Sequence, residues 1–303
     1  MKESIKKYMK VGLIHFMAFP ECMKGEGPVL ETMKKIAVDD YFDAIEVTWI
    51  KNPQVRKQAA EMLGHAGLTV AYGGQPRLLT TGYNINSLDE EMRLTALASL
   101  KEGIDEAYEI GAQGFAFLAG KYEEATKEES YRALLKSAGE LCAYAKEKGN
   151  LRVETEVFDY DVDKRSIIGP AAMAKRFAED MRAQYDNFGL VVDLSHIPQL
   201  HETIEESLYP VKDYITHAHI GSCVIGDPSM DAYGDAHPRF NFPNSVNGAD
   251  EVAAFLRALM ELGYFEKFDR PLMSFEVKPW AGEDPEVVIA NGKRVLNEAW
   301  AKL

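Results

Sequence analysis

Four short apolar segments in the second half of the chain carry polar groups, three of them at every second position. Arg152, Glu154 and Glu156 alternate in LRVETEV, His217 and His219 in YITHAHIG, and Ser274 and Glu276 in PLMSFEV, while in GLVVDLS Asp193 shares its face with the apolar Val191. Residues two apart share one face of a strand, so each segment aims its polar groups to one side. Ionised carboxylates on an enclosed face cost several kcal/mol each unless they are paired or bind a metal. Arg152 can pair with Glu154, but no comparable base accompanies the other acids. The outermost group of each segment gives Glu156, Asp193, His219 and Glu276. Three carboxylates and one imidazole suit a single divalent ion, Mn2+ foremost, with Mg2+, Co2+ and Zn2+ as alternatives. Glu154 and His217 lie one layer deeper and remain alternative ligands to Glu156 and His219.

Such an ion, flanked by two carboxylates, suits proton abstraction beside a carbonyl. Chelation of the carbonyl and its neighbouring hydroxyl acidifies the C–H between them and stabilises the enediolate. Glu156 and Glu276 are then the candidates to remove and return the proton, with His196 or His237 as alternative bases.

The elements that must position these groups repeat along the whole chain. Eight runs rich in β-branched and aromatic residues read as strands: 10–16, 42–49, 68–73, 114–120, 151–157, 189–195, 214–221 and 271–277. Each is followed by a stretch with helical spacing, and one of these opens with a Ser87 to Glu90 capping box. Alternating β and α units predict a parallel sheet, and eight of them a closed (β/α)8 TIM barrel of the α/β class. Length alone allows two domains at roughly 150 residues each, but a barrel fills about 250 residues as one. No Pro/Gly linker or shift in composition divides the 303 residues, so 1–303 is read as a single domain. An open doubly wound sheet is disfavoured because no G-x-G-x-x-G follows the first strand. The longest connection, about 221–247, follows the seventh strand, on the face where barrel enzymes carry their sites.

Composition narrows the partners. With 34 Lys+Arg against 48 Asp+Glu the formal net charge is −14, which repels polyphosphates, and no basic patch offsets it. Neither nucleic acid nor a membrane surface is an expected partner. The apolar run VGLIHFMAF is too short to span a bilayer, and no cleavage-site pattern follows it, which favours a cytoplasmic protein. Cys22, Cys142 and Cys223 are odd in number and widely spaced, so reduced thiols are expected.

Four pieces carry a resemblance to the xylose-isomerase-like barrel superfamily of sugar isomerases, epimerases and apurinic endonucleases: ETEVFD, the D-x-x-H turn in DLSH, the H-x-H-x-G strand HAHIG, and SFEVKP. The resemblance covers nearly the whole chain. In its ketose epimerases the corresponding residues bind one divalent metal, which implies that role for Glu156, Asp193, His219 and Glu276. It further implies that His196 contacts substrate. GDAHPRF resembles the D-x-H element that supplies extra zinc ligands in the nucleases, the pair being Asp235 and His237, but the histidines those enzymes need at the third and fourth strand ends are missing. Asp235, His237 and Arg239 are instead read as pocket residues on the long loop. Glu46, matching the superfamily's strand-two Glu, is a further candidate substrate contact, as are Lys278 and Trp280. His15, Gln75, Asn84 and Lys121 stand at strand ends, and Phe16, Phe158, Phe240 and Trp280 could form apolar walls.

The resulting expectation is a divalent-metal-dependent sugar or keto-sugar isomerase or epimerase, working on a small-molecule sugar or glycoside as a homo-oligomer. No Gly-rich phosphate cradle follows the last two strands, which favours unphosphorylated substrates. The alternative enzyme reading uses the same enolate for β-elimination, as implied by resemblance to the catalytic subunits of C-glycoside deglycosidases. It implies a 3-oxo-glycoside lyase with a small accessory subunit. A non-catalytic sugar-binding barrel is the reading from a different class.

Overall fold

Runs of Val, Ile and Phe bounded by Gly, Asp and Asn form eight strands in the computed structural model, which describes residue 1 and residues 3–303. They are β1 (Lys10–Leu13), β2 (Ala44–Val47), β3 (Thr69–Gly73), β4 (Ala112–Leu118), β5 (Arg152–Glu156), β6 (Phe188–Asp193), β7 (Ile215–Gly221) and β8 (Leu272–Glu276). Between and after them come α1 (His15–Ala18), α2 (Val29–Ala37), α3 (Pro53–Ala66), α4 (Gln75–Leu79), α5 (Glu90–Glu109), α6 (Lys127–Lys148), α7 (Ala171–Arg182), α8 (Ile204–Leu208), α9 (Ala249–Glu261) and α10 (Pro285–Ala301). Every strand pairs in parallel with its neighbours, and β1 pairs with β8. The remaining seam, between β1 and β2, is bridged at Ile14 and Glu46. The fold is a single (β/α)8 barrel, and the doubly wound alternative is excluded because its sheet would leave β1 and β8 apart.

Two local expectations are corrected. The first strand ends at Leu13 rather than residue 16: the chain turns into α1, and buried His15 donates from Nε2 to Thr32 Oγ1 of α2 at 2.8 Å. Burial there pushes the His15 imidazole down to about 3, so it is a neutral group packed against α2. Ser87 and Glu90 do not form a capping box. Asp89 is the N-cap of α5, accepting from Glu91 N at 3.0 Å, while Glu90 turns to Arg93. A charged carboxylate beside the helix's unpaired N–H groups outcompetes the serine two residues earlier.

Parallel register sets which groups reach the C-terminal mouth. Asp193 is level with His219, and Gly221 with Glu276. Glycine is required at 221, because a Cβ there would lie 2.6 Å from Glu276 O and 3.2 Å from His237 Nδ1. At the opposite end Gly114 makes room for Glu154, whose Oε2 would lie 2.6 Å from a Cβ. The apolar core occupies the layer between strands and helices, with Phe115, Phe117, Phe177, Phe188 and Phe255 fully buried. Cys22, Cys142 and Cys223 are buried and unpaired. Among the described residues no helix is long and apolar enough to cross a membrane.

Candidate active site

Glu156, Asp193 and Glu276 end β5, β6 and β8, and His219 lies two residues before the end of β7. One ligand atom from each of the four falls within 4.8 Å of the others, and all four residues are buried. His219 Nδ1 lies 3.2 Å from Glu156 Oε1, 2.9 Å from Glu276 Oε2 and 3.7 Å from Asp193 Oδ2. Among the described residues, Asp193 Oδ2 and Glu276 Oε2 find no hydrogen-bond partner of acceptable angle. Buried carboxylate oxygens are costly in that state. Oxygens converging on an imidazole nitrogen fit a divalent ion, which would satisfy both orphans.

The electrostatics of the protein groups agree with that fit. Burial, reinforced by the Glu156 carboxylate, pushes Glu276 up to about 7 against the pull of His237 and His219. For Asp193, burial is outweighed by His196, His237 and His219, which hold its carboxyl below the usual range. Burial likewise opposes a charge on His219, yet Glu46, Glu156 and Glu276 raise its imidazole well above the ordinary value.

Below the cluster runs a column of alternating charge. Glu46 Oε1 accepts from His217 Nε2 at 2.8 Å and lies 3.1 Å from His219 Nε2. His217 Nδ1 is 3.6 Å from Glu154, which is held by Arg152 at 2.9 Å and by the Thr216 hydroxyl at 2.6 Å. Arg152 and the Glu46–His217 pair therefore neutralise the deeper acids without an ion. Glu154 and His217 do not join the four-residue cluster, whereas Glu46 reaches it only through His219.

On the other side lies a group organised by Asp235. Its Oδ1 is 2.9 Å from His196 Nε2 and 2.8 Å from His237 Nε2, and its Oδ2 is 2.7 Å from Lys164 Nζ. His196 donates from Nδ1 to Val157 O at 2.8 Å, and His237 Nδ1 is 3.2 Å from Ser195 Oγ. Burial opposes a proton on His237, but Glu276 and Asp235 raise it to about 9. Asp193, His196 and His237 also bring ligand atoms within 4.8 Å of one another. The Lys164 ammonium already balances the neighbouring Asp235.

Lys164 was not singled out from the sequence. It reaches Asp235 because buried Asp159 accepts from the backbone N–H groups of Val162, Asp163, Lys164 and Arg165 at 2.7–3.2 Å, folding the segment after β5 back over the mouth. Read alone, DYDVDKRS is an ordinary charged loop; an aspartate directly after the strand-end ETEVF was its one available signal. Gln75, at the start of α4, donates to Glu156 Oε2 at 2.7 Å and fixes that carboxylate.

A cavity of about 170 Å³ opens on the cluster and is lined by Glu46, Glu156, His219, Asp235 and Glu276, with Phe16, Gln75, Leu79, Phe158, Lys164 and Lys278 around them. Its wall does not include Arg239, Phe240 or Trp280. Arg239 donates to Glu283 at 2.8 Å and to loop carbonyls, Phe240 is fully buried, and Trp280 meets Phe242 edge-on. Arg239 and Trp280 tie the long β7–α9 connection to the segment after β8. Asn84 and Lys121 line a neighbouring hollow instead.

No curated protein sequence matches the chain. Among solved structures, a D-tagatose 3-epimerase-like protein superposes with a TM-score of 0.71 at 18% identity, covering 97% of this chain and 99% of that one. The IOLI protein with a bound zinc atom gives a TM-score of 0.72 at 15% identity over 97% and 99%. The 3-keto-D-glucoside 4-epimerase YcjR from E. coli gives 0.66 at 17% identity over 95% and 99%. At such identities the likeness is one of fold. In sequence, residues 35–299 match the profile of the family described as the xylose isomerase-like TIM barrel. The chain therefore belongs to the xylose isomerase-like TIM-barrel family.

Proposed function

We propose that the protein is a sugar or keto-sugar isomerase or epimerase that transfers a proton at the carbon beside a carbonyl, with Glu156, Asp193, His219 and Glu276 holding one divalent ion. The observation that carries this reading is the convergence of three carboxylates and one imidazole in a buried cluster that opens on a sugar-sized cavity. Structural neighbours named as tagatose, ribulose and 3-keto-glucoside epimerases support it. A divalent ion, Mn2+ foremost, supplies Lewis acidity toward the carbonyl and hydroxyl of a bound sugar.

The chain's own residues do the rest. Glu156 and Glu276 stand on strands three positions apart around the barrel, so they approach a bound sugar from different sides. Gln75 holds one oxygen of Glu156 and leaves the other toward the site. Removal of the proton by one carboxylate and return by the other gives epimerisation, and return to the adjacent carbon gives isomerisation. Asp235, held between His196 and His237, lines the cavity and is placed to accept from a sugar hydroxyl, and Phe16 and Phe158 pack against the sugar's C–H face while keeping water out. Lys164 and Lys278 complete the polar wall.

The test is incubation with a panel of ketoses and 3-oxo-glycosides plus Mn2+ in deuterated water. Epimers or isomers carrying solvent deuterium are expected. Label-free products would replace proton transfer by a hydride shift, and released aglycone would favour elimination.

Glu46 has an expected role in the same reading. Its carboxylate, 3.1 Å from His219 Nε2, favours a proton on that nitrogen and so leaves Nδ1 toward the other three ligands. Glu46→Gln is expected to weaken Mn2+ affinity roughly 10–100-fold, the usual scale for losing such a partner. Competition with a chromogenic chelator measures it, and unchanged affinity removes Glu46 from that role.

A further inference from the structure

Opposite the mouth, at the end where the strands begin, the barrel holds a further cavity of about 250 Å³. Lys10, Thr69, Arg152 and Leu272 in its wall are the first residues of β1, β3, β5 and β8. Barrel enzymes do their chemistry at the other end. Buried Glu154 and His217 also line this cavity, and they stand between it and the carboxylate cluster.

The wall gathers three cations, Lys10, Arg152 and Arg270, from distant parts of a chain whose net charge is −14. Their donors are only partly used. Arg152 gives Nε to Glu154 Oε1 at 2.9 Å and lies over Phe268, its guanidinium carbon 5.1 Å from the ring centre, but among the described residues its two terminal nitrogens have no partner. Arg270 Nη1 donates to Lys6 O at 3.0 Å and is 3.8 Å from Asp43 Oδ1, which leaves Nε and Nη2. Lys10 Nζ makes no ion pair or hydrogen bond among the described residues. Two carboxylates face these cations. Glu154 is already held by Arg152 and by the Thr216 hydroxyl at 2.6 Å, and His217 is engaged by Glu46 at 2.8 Å. Asp269 is the other. Three cations against two carboxylates leave the wall positive, with N–H groups to spare. Ion pairs that serve only to brace the base of the barrel would use those donors up, whereas a guanidinium fork beside an ammonium is what an oxyanion binds.

We propose that this basal cavity binds a small dianionic oxyanion, a phosphate or sulfate group or a dicarboxylate, on Arg152, Lys10 and Arg270. Its volume lies below the ~300 Å³ at which pockets for drug-sized ligands begin, so the ligand is small. The site is independent of the sugar reading of the cluster at the mouth.

Calorimetric titration of the Mn2+-loaded protein with sodium sulfate and with sodium succinate, each against sodium chloride of equal ionic strength, tests it. Saturable binding of at least one dianion is expected, with a Kd of about 1 mM or tighter, the scale of a few charge-assisted hydrogen bonds. Lys10→Gln and Arg270→Gln should each weaken it at least about threefold. Asp269→Asn removes the opposing carboxylate and should tighten it by about the same factor, a gain that a misfolded variant would not produce. Arg152 is left intact, because its loss would strand the buried Glu154. Sulfate binding alone assigns the cavity to tetrahedral groups, and succinate binding alone to carboxylates. Heats no different from chloride for both dianions, or an affinity unmoved by all three substitutions, overturns the basal site and leaves the sugar reading intact.

Discussion

Glu276→Gln is expected to lower turnover by at least about 10³-fold while leaving the barrel folded. The substitution keeps the side chain's shape, so the core of β8 is undisturbed, but it removes one of the three negative charges that converge with His219. Two losses then combine. General acid–base help from a placed carboxylate is worth roughly 10²–10⁴-fold, and a ligand set reduced to two carboxylates and an imidazole retains a divalent ion less tightly. Both show in one preparation as a reduced kcat and a raised Mn2+ requirement. Glu154→Gln is the informative control. Glu154 lies in the column with Arg152, Thr216 and His217, outside the four-residue cluster. Its loss should lower stability, by the few kcal/mol expected when a buried pair is broken, without a comparable change in Mn2+ requirement. A Glu276→Gln protein with full activity would remove Glu276 from both assigned roles.

Chelation is expected to abolish activity and to lower thermal stability, with both restored by Mn2+. The cluster gathers three carboxylates in a buried site, and two of their oxygens lack hydrogen-bond partners among the described residues. An ion bound to the native state alone adds about 2.7 kcal/mol when present at 100 times its dissociation constant. At about 2.1 cal/mol/K of unfolding entropy per residue, a chain of 303 residues is expected to melt roughly 4 °C lower after chelation. The midpoint should climb with the logarithm of Mn2+ concentration, and the climb should shrink in Glu276→Gln. A melting curve indifferent to both chelator and Mn2+ would leave the cluster without a resident ion. Loss of activity without any thermal shift would instead place the ion in the substrate complex alone.

Alternation is what makes so much of the cluster visible before folding. A strand's period of two assigns Glu156, Asp193, His219 and Glu276 to one face of their segments without reference to any partner. The repeated β then α pattern closes those faces around one axis, as the pairing of β1 with β8 bears out. The depth ordering of Glu154 below Glu156 and His217 below His219 follows from the same counting, and the column beneath the cluster has that order.

Other groups were not legible, for reasons that lie in loops and not in periods. Arg239, on the long loop, and Trp280, just beyond β8, turn to Glu283 and Phe242, because a loop residue's direction depends on the backbone around it. Lys164 reaches the site only because Asp159 gathers four backbone N–H groups. His15 leaves it because β1 stops at Leu13. The amino-acid sequence by itself determined the barrel, its order of elements and the quartet of side chains on its inner face, since hydrophobic periodicity acts locally and repeats. Only the tertiary structure decided which loop groups meet that quartet and how the neighbouring hollow is walled. Those contacts join segments far apart in the chain, and no local pattern encodes the distance between them.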